Sequence, residues 1–306
     1  MARAASTIWR FSGRARAGRF SCLMGLREPQ DGGELEVRRI DQHESLVAAR
    51  VPSWSCNPDG RVCLSAVTAM FDEISTVAGC AAWDRSMRTG LSVQLFSRAH
   101  RSLDVGSGDK LVFTTKLRKI GKTLGFVDGE VATEAGVTLA NMRHIKFMPM
   151  GSFYAFIAHP LMQPTTLAVL NAFLSLRPLQ HDRVPQSKEE LFPLRNLRTE
   201  GSSSFADTSI TDRHATALGG IHGGAGVMLL TRMAAAGAER DLTLPIPIRS
   251  ISTNLINSVP TRVGRETEVQ LESSLCLGSG LPDYSYVMIK KEGKIMMDSS
   301  IFWGMR

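Results

Sequence analysis

Gly60-Arg-Val-Cys63-Leu-Ser-Ala-Val-Thr-Ala-Met-Phe-Asp72-Glu73 and Gly219-Gly-Ile-His222-Gly223-Gly224-Ala-Gly-Val-Met-Leu-Leu230 read as two versions of one design. Each is a glycine turn opening an apolar helix of about five turns. Each is followed by a similar series of strand-like runs. Superposed, the halves stay in step: Cys63 falls on His222 (159 apart), Val105-Gly106 on Val263-Gly264 (158), and Ala135-Gly136 on Glu292-Gly293 (157). So small a drift over that length is the mark of an internal duplication.

The chain of 306 residues suits two domains of ordinary size, each with its own core. No apolar run reaches the 18 or so residues of a membrane span. Thr166–Leu176 is the longest candidate, and it reads as a core helix. The net charge of +7 belongs to the N-terminus. Residues 1–27 hold six arginines and no acidic residue; taking six from 36 leaves 30 basic against 29 acidic side chains, close to neutral. Charge therefore gives no reason to expect a nucleic-acid partner. An Arg-rich, acid-free leader with Ile8, Trp9 and Phe11 resembles a mitochondrial transit peptide, which would place the chain in the matrix; a plastid address or a plain basic tail are the alternatives. Five cysteines without paired spacing fit free thiols in a reduced compartment. Seven scattered histidines predict no metal site, and no cofactor is expected.

In order, residues 28–59 are polar, with a helix or strand over Glu36–Arg50. The first organising helix runs from Val62 to about Ala82, with Val67, Met70, Phe71, Ile74, Val77 and Ala78 at helical spacing. Strands are predicted at 91–99, 109–120, 122–131 and 137–148. Residues 161–195 read as a proline-rich linker with one helix at 166–176. The second domain, 196–306, places its helix at about Gly223–Ala236 and strands at 248–256, 266–277, 283–291 and 294–303. One long helix followed by a meander is an α+β pattern, and so apolar a helix must be wrapped by its sheet.

Residues 57–148 resemble the hotdog-fold acyl-CoA thioesterases of the PaaI-like branch. The likeness lies in Asn57-Pro-Asp-Gly60, Phe71-Asp72-Glu-Ile-Ser-Thr76, Leu91-Ser92-Val-Gln94 and Lys119-Ile-Gly-Lys-Thr-Leu-Gly-Phe126. The second copy resembles the family more weakly but carries its His-Gly-Gly at 222–224. The resemblance implies tandem hotdog domains, at 28–160 and 196–306, each a five- or six-stranded antiparallel sheet around a long helix, paired side by side. It also implies hydrolysis of an acyl-CoA thioester at sites assembled across the pair. A backbone N–H of the His-Gly-Gly turn polarises the carbonyl, and the partner's helix supplies an acid that attacks it or activates water. A serine on the partner's following strand completes the set.

Carried over residue by residue, copy one offers Asp72 and Ser92 but has Cys63-Leu64-Ser65 in place of the glycine turn. Copy two offers His222, Gly223 and Gly224, with Thr231 at the acidic position and Ile251 or Ser250 at the serine position. The losses are complementary: one complete catalytic set of Asp72, Ser92, His222 and Gly223, and one dead counterpart. Gly224, Asn57, Lys119 and Lys122 are candidates for binding substrate, the lysines through coenzyme A phosphates. Asn57, however, precedes the broken turn, and Thr216 holds its place in copy two. Other readings stand beside these. Asp72 could face solvent, with Glu73 as the reserve acid; Ser92 could merely fit a crowded strand; the lysines could be a solvated edge. An inactive double hotdog kept as a structural subunit of a mitochondrial assembly is the rival function, and a hotdog dehydratase the weaker third. Whether two such chains associate is left open.

Overall fold

The computed structural model describes residues 19–27, 34–41, 43–84, 88–149, 151, 162–175, 183–216, 220–238, 247–261, 264–277 and 283–304. Among the described residues, twelve strands form one sheet. A short helix α1 (Arg19–Leu23) leads to the hairpin β1 (Glu36–Asp41) and β2 (Glu44–Arg50). Helix α2 (Leu64–Ile74) continues without interruption as a π-helix over Ser75–Ala81. Then come β3 (Leu91–Ala99), β4 (Lys110–Ile120), β5 (Leu124–Thr133) and β6 (Thr138–Phe147). Helices α3 (Met162–Ser175) and α4 (Lys188–Leu191) precede β7 (Arg195–Glu200) and β8 (Ser203–Ile210). Helix α5 (Gly223–Ala238) is followed by β9 (Ile248–Leu255), β10 (Thr267–Cys276), β11 (Tyr284–Lys291) and β12 (Lys294–Trp303).

The strand order is β1-β2-β4-β5-β6-β3-β9-β12-β11-β10-β8-β7. Read inward from either edge, the two halves give the same series, and they meet where β3 pairs antiparallel with β9 (Ser97 opposite Ile251). All named strand pairs are antiparallel. Alternation sets which side is wet. On β6, Met142, His144 and Lys146 are buried while Asn141, Arg143 and Phe147 are exposed, the period of two that a one-sided sheet imposes.

Helices α2 and α5 pack on the buried face and against each other. Their backbones touch at Gly224, where an added Cβ would sit 2.6 Å from Ala69 Cα. Every residue of α2 is buried, because the sheet and the partner helix enclose it. The sheet also yields to the helices: Gly129 on β5 leaves room for the Phe71 ring, 2.1 Å from where a Cβ would stand. The π-helical segment has a local cause. Ser75 Oγ lies 2.6 Å from Phe71 O and Thr76 Oγ1 donates to Asp72 O (2.5 Å), two hydroxyls crowding the carbonyls that close α-turns.

Two expected boundaries need correction. The break at residue 27 does not match the folded body, since Phe20, Leu23, Met24 and Leu26 are buried and Trp54 Nε1 donates to Leu23 O (2.9 Å). Arg3, Arg10, Arg14 and Arg16 of the expected leader lie outside the described residues, as does Gly219. Nor is 188–195 a linker, because Leu191 and Phe192 are buried in the core and Ser187 caps α4 through Glu190 N–H. Residues 36–50, left open as helix or strand, form a hairpin that turns at His43, whose φ is +66°. Strands β7 and β8 were not foreseen.

Phe20 packs 5.0 Å from the His222 ring and 6.4 Å from Phe192, ring centre to ring centre. Because it is fully buried, Phe20→Ala is expected to cost about 3–5 kcal/mol in chemical denaturation.

Candidate active site

Asp72 sits in the last turn of α2, midway along the continuous helix 64–81, and the glycine turn at the start of α5 meets it there. The Gly224 N–H donates to Asp72 Oδ2 (2.7 Å). This amide is one of the donors that the first turn of any helix leaves without an intrahelical partner, at the positive end of a 16-residue dipole. Ser92 Oγ donates to the other carboxylate oxygen, Asp72 Oδ1 (2.8 Å). The four expected catalytic residues are therefore together, with one adjustment: the amide facing the carboxylate belongs to Gly224. Gly223 contributes by lacking a side chain, since its Cβ would fall 2.7 Å from Asp72 Oδ2 and 3.2 Å from Ser92 Oγ.

His222 lies between two carboxylates. Its Nδ1 is 3.1 Å from Asp72 Oδ2 and its Nε2 3.1 Å from Glu73 Oε2. Nδ1 is also 3.1 Å from the Gly224 nitrogen. Burial alone would favour the neutral ring, but Asp72 and the hydrogen bond and charge of Glu73 outweigh it and raise the His222 pKa. In the imidazolium form each nitrogen donates to a carboxylate. Asp72 shows the converse: burial would raise its pKa, yet His222, His144, Lys146 and the Ser92 hydrogen bond hold it down to about 2. Glu73, the reserve acid of the sequence reading, is buried and anchors the far side of His222.

Two participants were missed. His144 and Lys146, on the inner face of β6, are 0% and 2% exposed. His144 Nε2 is 2.9 Å from Ser92 Oγ and 3.3 Å from Asp72 Oδ1, and its Nδ1 is 2.7 Å from Ser75 Oγ. Burial, with Lys146 nearby, pushes the His144 pKa down to about 3, so the ring is neutral at physiological pH. Lys146 Nζ donates to Thr76 Oγ1 (2.7 Å); burial lowers its pKa against the pull of Asp72, Cys80 and Glu73. A sequence signal existed: positions 142, 144 and 146 share a strand face whose neighbours at 140 and 142 are apolar.

The other candidates lie elsewhere. Asn57 is exposed beside the copy-one turn, and its Oδ1 accepts from Lys188 Nζ (2.8 Å). Lys119 and Lys122 are exposed around the β4–β5 turn; β4 stands three strands from Ser92, about 14 Å across the sheet. None of the three touches the Asp72 cluster. At the counterpart position Thr231 Oγ1 bonds its own helix at Val227 O (2.7 Å) and Cys63 Sγ reaches Ser55 O (3.2 Å). Ile251 is fully buried, and no carboxylate takes part in these contacts. Among the described residues no group of three His, Cys, Asp or Glu side chains is arranged to hold a metal ion. No described helix is long and apolar enough to cross a membrane.

No protein-family profile matches the chain. No curated protein matches it in sequence. Solved structures do match in fold. A putative oleoyl thioesterase from Lactobacillus plantarum superposes with a TM-score of 0.55 at 10% identity, over 85% of this chain and 95% of its own. An acyl-ACP thioesterase from Bacteroides thetaiotaomicron gives 0.53 at 10% identity, over 87% and 100%. The 12:0-ACP thioesterase of Umbellularia californica gives 0.54 at 10% identity, over 86% and 94%. A hotdog-fold protein of unknown function from Alicyclobacillus acidocaldarius gives 0.54 at 7% identity, over 89% and 96%. The chain thus has the hotdog fold, and the likeness extends over more of it than either half could supply.

Proposed function

We propose that the chain hydrolyses an acyl-CoA thioester to free acid and CoA, at one site shared by two hotdog domains descended from a PaaI-like duplication. The observation that carries this reading is the Asp72 carboxylate set 2.7 Å from a helix-terminal amide 152 residues further along the chain. A carboxylate beside an N–H donor that has no partner within its own helix is what acyl transfer requires. The thioester carbonyl oxygen takes the Gly224 N–H in place of Asp72 Oδ2. The released carboxylate either attacks the carbonyl carbon or removes a proton from an attacking water. On the water route a C–O bond forms and the C–S bond breaks, and the proton held by Asp72 passes to the departing thiolate. The amide holds the oxyanion, and the His222 imidazolium beside it adds positive charge. Nothing in the cluster selects a chain length.

The test is turnover of short-, medium- and long-chain acyl-CoAs by the purified chain, repeated with Asp72→Asn. Thioester cleavage abolished by that substitution supports the reading; cleavage indifferent to it removes Asp72 from the chemistry.

One observation favours a second reading, that of an inactive double hotdog retained as a structural subunit, in a mitochondrial complex if the Arg-rich N-terminus acts as a leader. Asp72 itself occupies the Gly224 amide, with no gap between them for a carbonyl group. Isolation of the chain within a large organellar complex, with no turnover of any thioester, would favour it.

A further inference from the structure

Ser75, His144, Ser92 and Asp72 form a row of short polar contacts: Ser75 Oγ to His144 Nδ1 (2.7 Å), His144 Nε2 to Ser92 Oγ (2.9 Å), and Ser92 Oγ to Asp72 Oδ1 (2.8 Å). Each needs one proton, and two side chains in the row can supply it in either direction. An ionised Asp72 has none to give. The proton between Ser92 and Asp72 must then be that of the Ser92 hydroxyl. With that hydroxyl committed, Ser92 Oγ meets His144 as an acceptor, and Nε2 must carry the ring proton. Nδ1 is then bare and takes the Ser75 proton. That leaves Phe71 O without the Ser75 hydroxyl but not unpaired, because the Ser75 backbone N–H already reaches it. Three contacts are met by three protons, all pointing toward Asp72. The opposite tautomer leaves two oxygens 2.8 Å apart with no proton between them.

Resting on the thioesterase reading above, we propose that His144 is a positioning residue of the site: as the Nε2–H tautomer, fixed by Ser75, it locks the Ser92 hydroxyl onto Asp72 and so keeps that carboxylate aimed and ionised. The charged and titratable groups facing His144 are Asp72 and, through space, Lys146 and His222; Phe71 covers it at 6.4 Å between ring centres. Lys146 and burial keep the ring neutral, as this tautomer requires. The device is directional, and a proton entering His144 would reverse the Ser75 link.

The test compares three variants, using octanoyl-CoA and palmitoyl-CoA as probes from pH 4 to 9, with a thermal melt of each protein. His144→Gln keeps a donor at the Nε2 position, whereas His144→Asn and His144→Leu do not. Leu and Asn are expected to lower kcat by about 10- to 100-fold, the scale seen for outer partners that orient metal ligands. KM should change little, and an acid limb absent from the wild type should appear above pH 4. Gln should keep the wild-type profile. Equal losses in Gln and Asn, or a Leu variant with wild-type kcat and no acid limb, overturn the proposal. If Leu does not fold, Gln against Asn decides. Nitrogen chemical shifts of the His144 ring give a readout that needs no turnover: a protonated Nε2 with bare Nδ1 is expected through neutral pH, and the reverse tautomer overturns it. A wild type that cleaves neither probe counts against the thioesterase reading, while the ring shifts still decide the tautomer.

Discussion

Asp72→Asn is expected to reduce kcat for thioester cleavage by about a thousandfold or more, with a smaller change in KM, because the lost group acts only as charge develops. The amide side chain fits the same space and retains an oxygen for the Gly224 N–H, so packing should survive. What disappears is the nucleophile or base and one of the two charges holding His222. The pH dependence of stability should change in a defined way. Asp72 is held below its ordinary 3.8, so its stabilisation is fully present above that value and is lost as pH falls toward about 2. His222 is raised above its ordinary 6.5, so its stabilisation is fully present below 6.5 and is lost as pH rises through the higher folded value. In the wild type the two overlap between about pH 3.8 and 6.5. In Asp72→Asn the acid loss vanishes and the His222 contribution shrinks, leaving a flatter curve. Denaturation series at pH 3, 5 and 8 measure this, and an unchanged curve would show that the pair is not coupled as described.

Gly224→Ala should be the most destabilising single methyl in the molecule's centre. The new Cβ meets Ala69 at three atoms, Cα at 2.6 Å, Cβ at 2.8 Å and the carbonyl oxygen at 2.9 Å. These belong to the backbone and first carbon of a buried helix, which no rotamer can move aside. The helices must part, costing about 3 kcal/mol or more, at or above the usual range for overpacking. Parting them also draws the Gly224 N–H off Asp72, so activity should fall with stability. Gly226→Ala is the control. Its Cβ would clash with Met297 Cε and Sδ, the end of a flexible side chain, and reach Ile221 Cδ1 only at an ordinary 4.0 Å, so its cost in urea denaturation should be clearly smaller.

Strands β3 to β6 and β9 to β12 were legible within about two residues, because alternating apolar runs between glycine turns leave little choice of structure. The hairpin β1–β2 and strands β7 and β8 were not. Glu-Val-Arg-Arg-Ile-Asp is an edge strand whose charge masks its alternation, and Ser-Ser-Phe-Ala-Asp-Thr-Ser-Ile holds few strand-forming side chains. Phe20 was hidden among arginines, for its partners His222 and Phe192 lie some 170 to 200 residues away in sequence. Within the site, Asp72, Ser92, His222 and the two glycines could be read from short motifs on the chain. His144 and Lys146 carried only a weaker signal, their shared parity with apolar Ala140 and Met142 on one strand, which marks them as inward-facing but assigns them no role. Asn57 misled because its motif belongs to the copy whose glycine turn is gone. Lys119 and Lys122 carried charge suited to phosphates but sit at an exposed turn.

The antiparallel junction of β3 with β9, and the helix contact behind it, bear on the order in which the molecule comes into being. A ribosome that has released only the first half has made Asp72, Ser92 and His144 but neither amide nor imidazolium to complete them. Closing the site joins groups about 150 residues apart, among the most distant contacts in the molecule and so among the costliest to form in chain entropy. Phe20, the earliest of these residues to be synthesised, must wait longest, because its seat against His222 does not exist until the second helix docks. On the proposed thioesterase reading, chemistry at Asp72 is thereby tied to completion of the whole chain, and a truncated product would carry the acid without the means to use it.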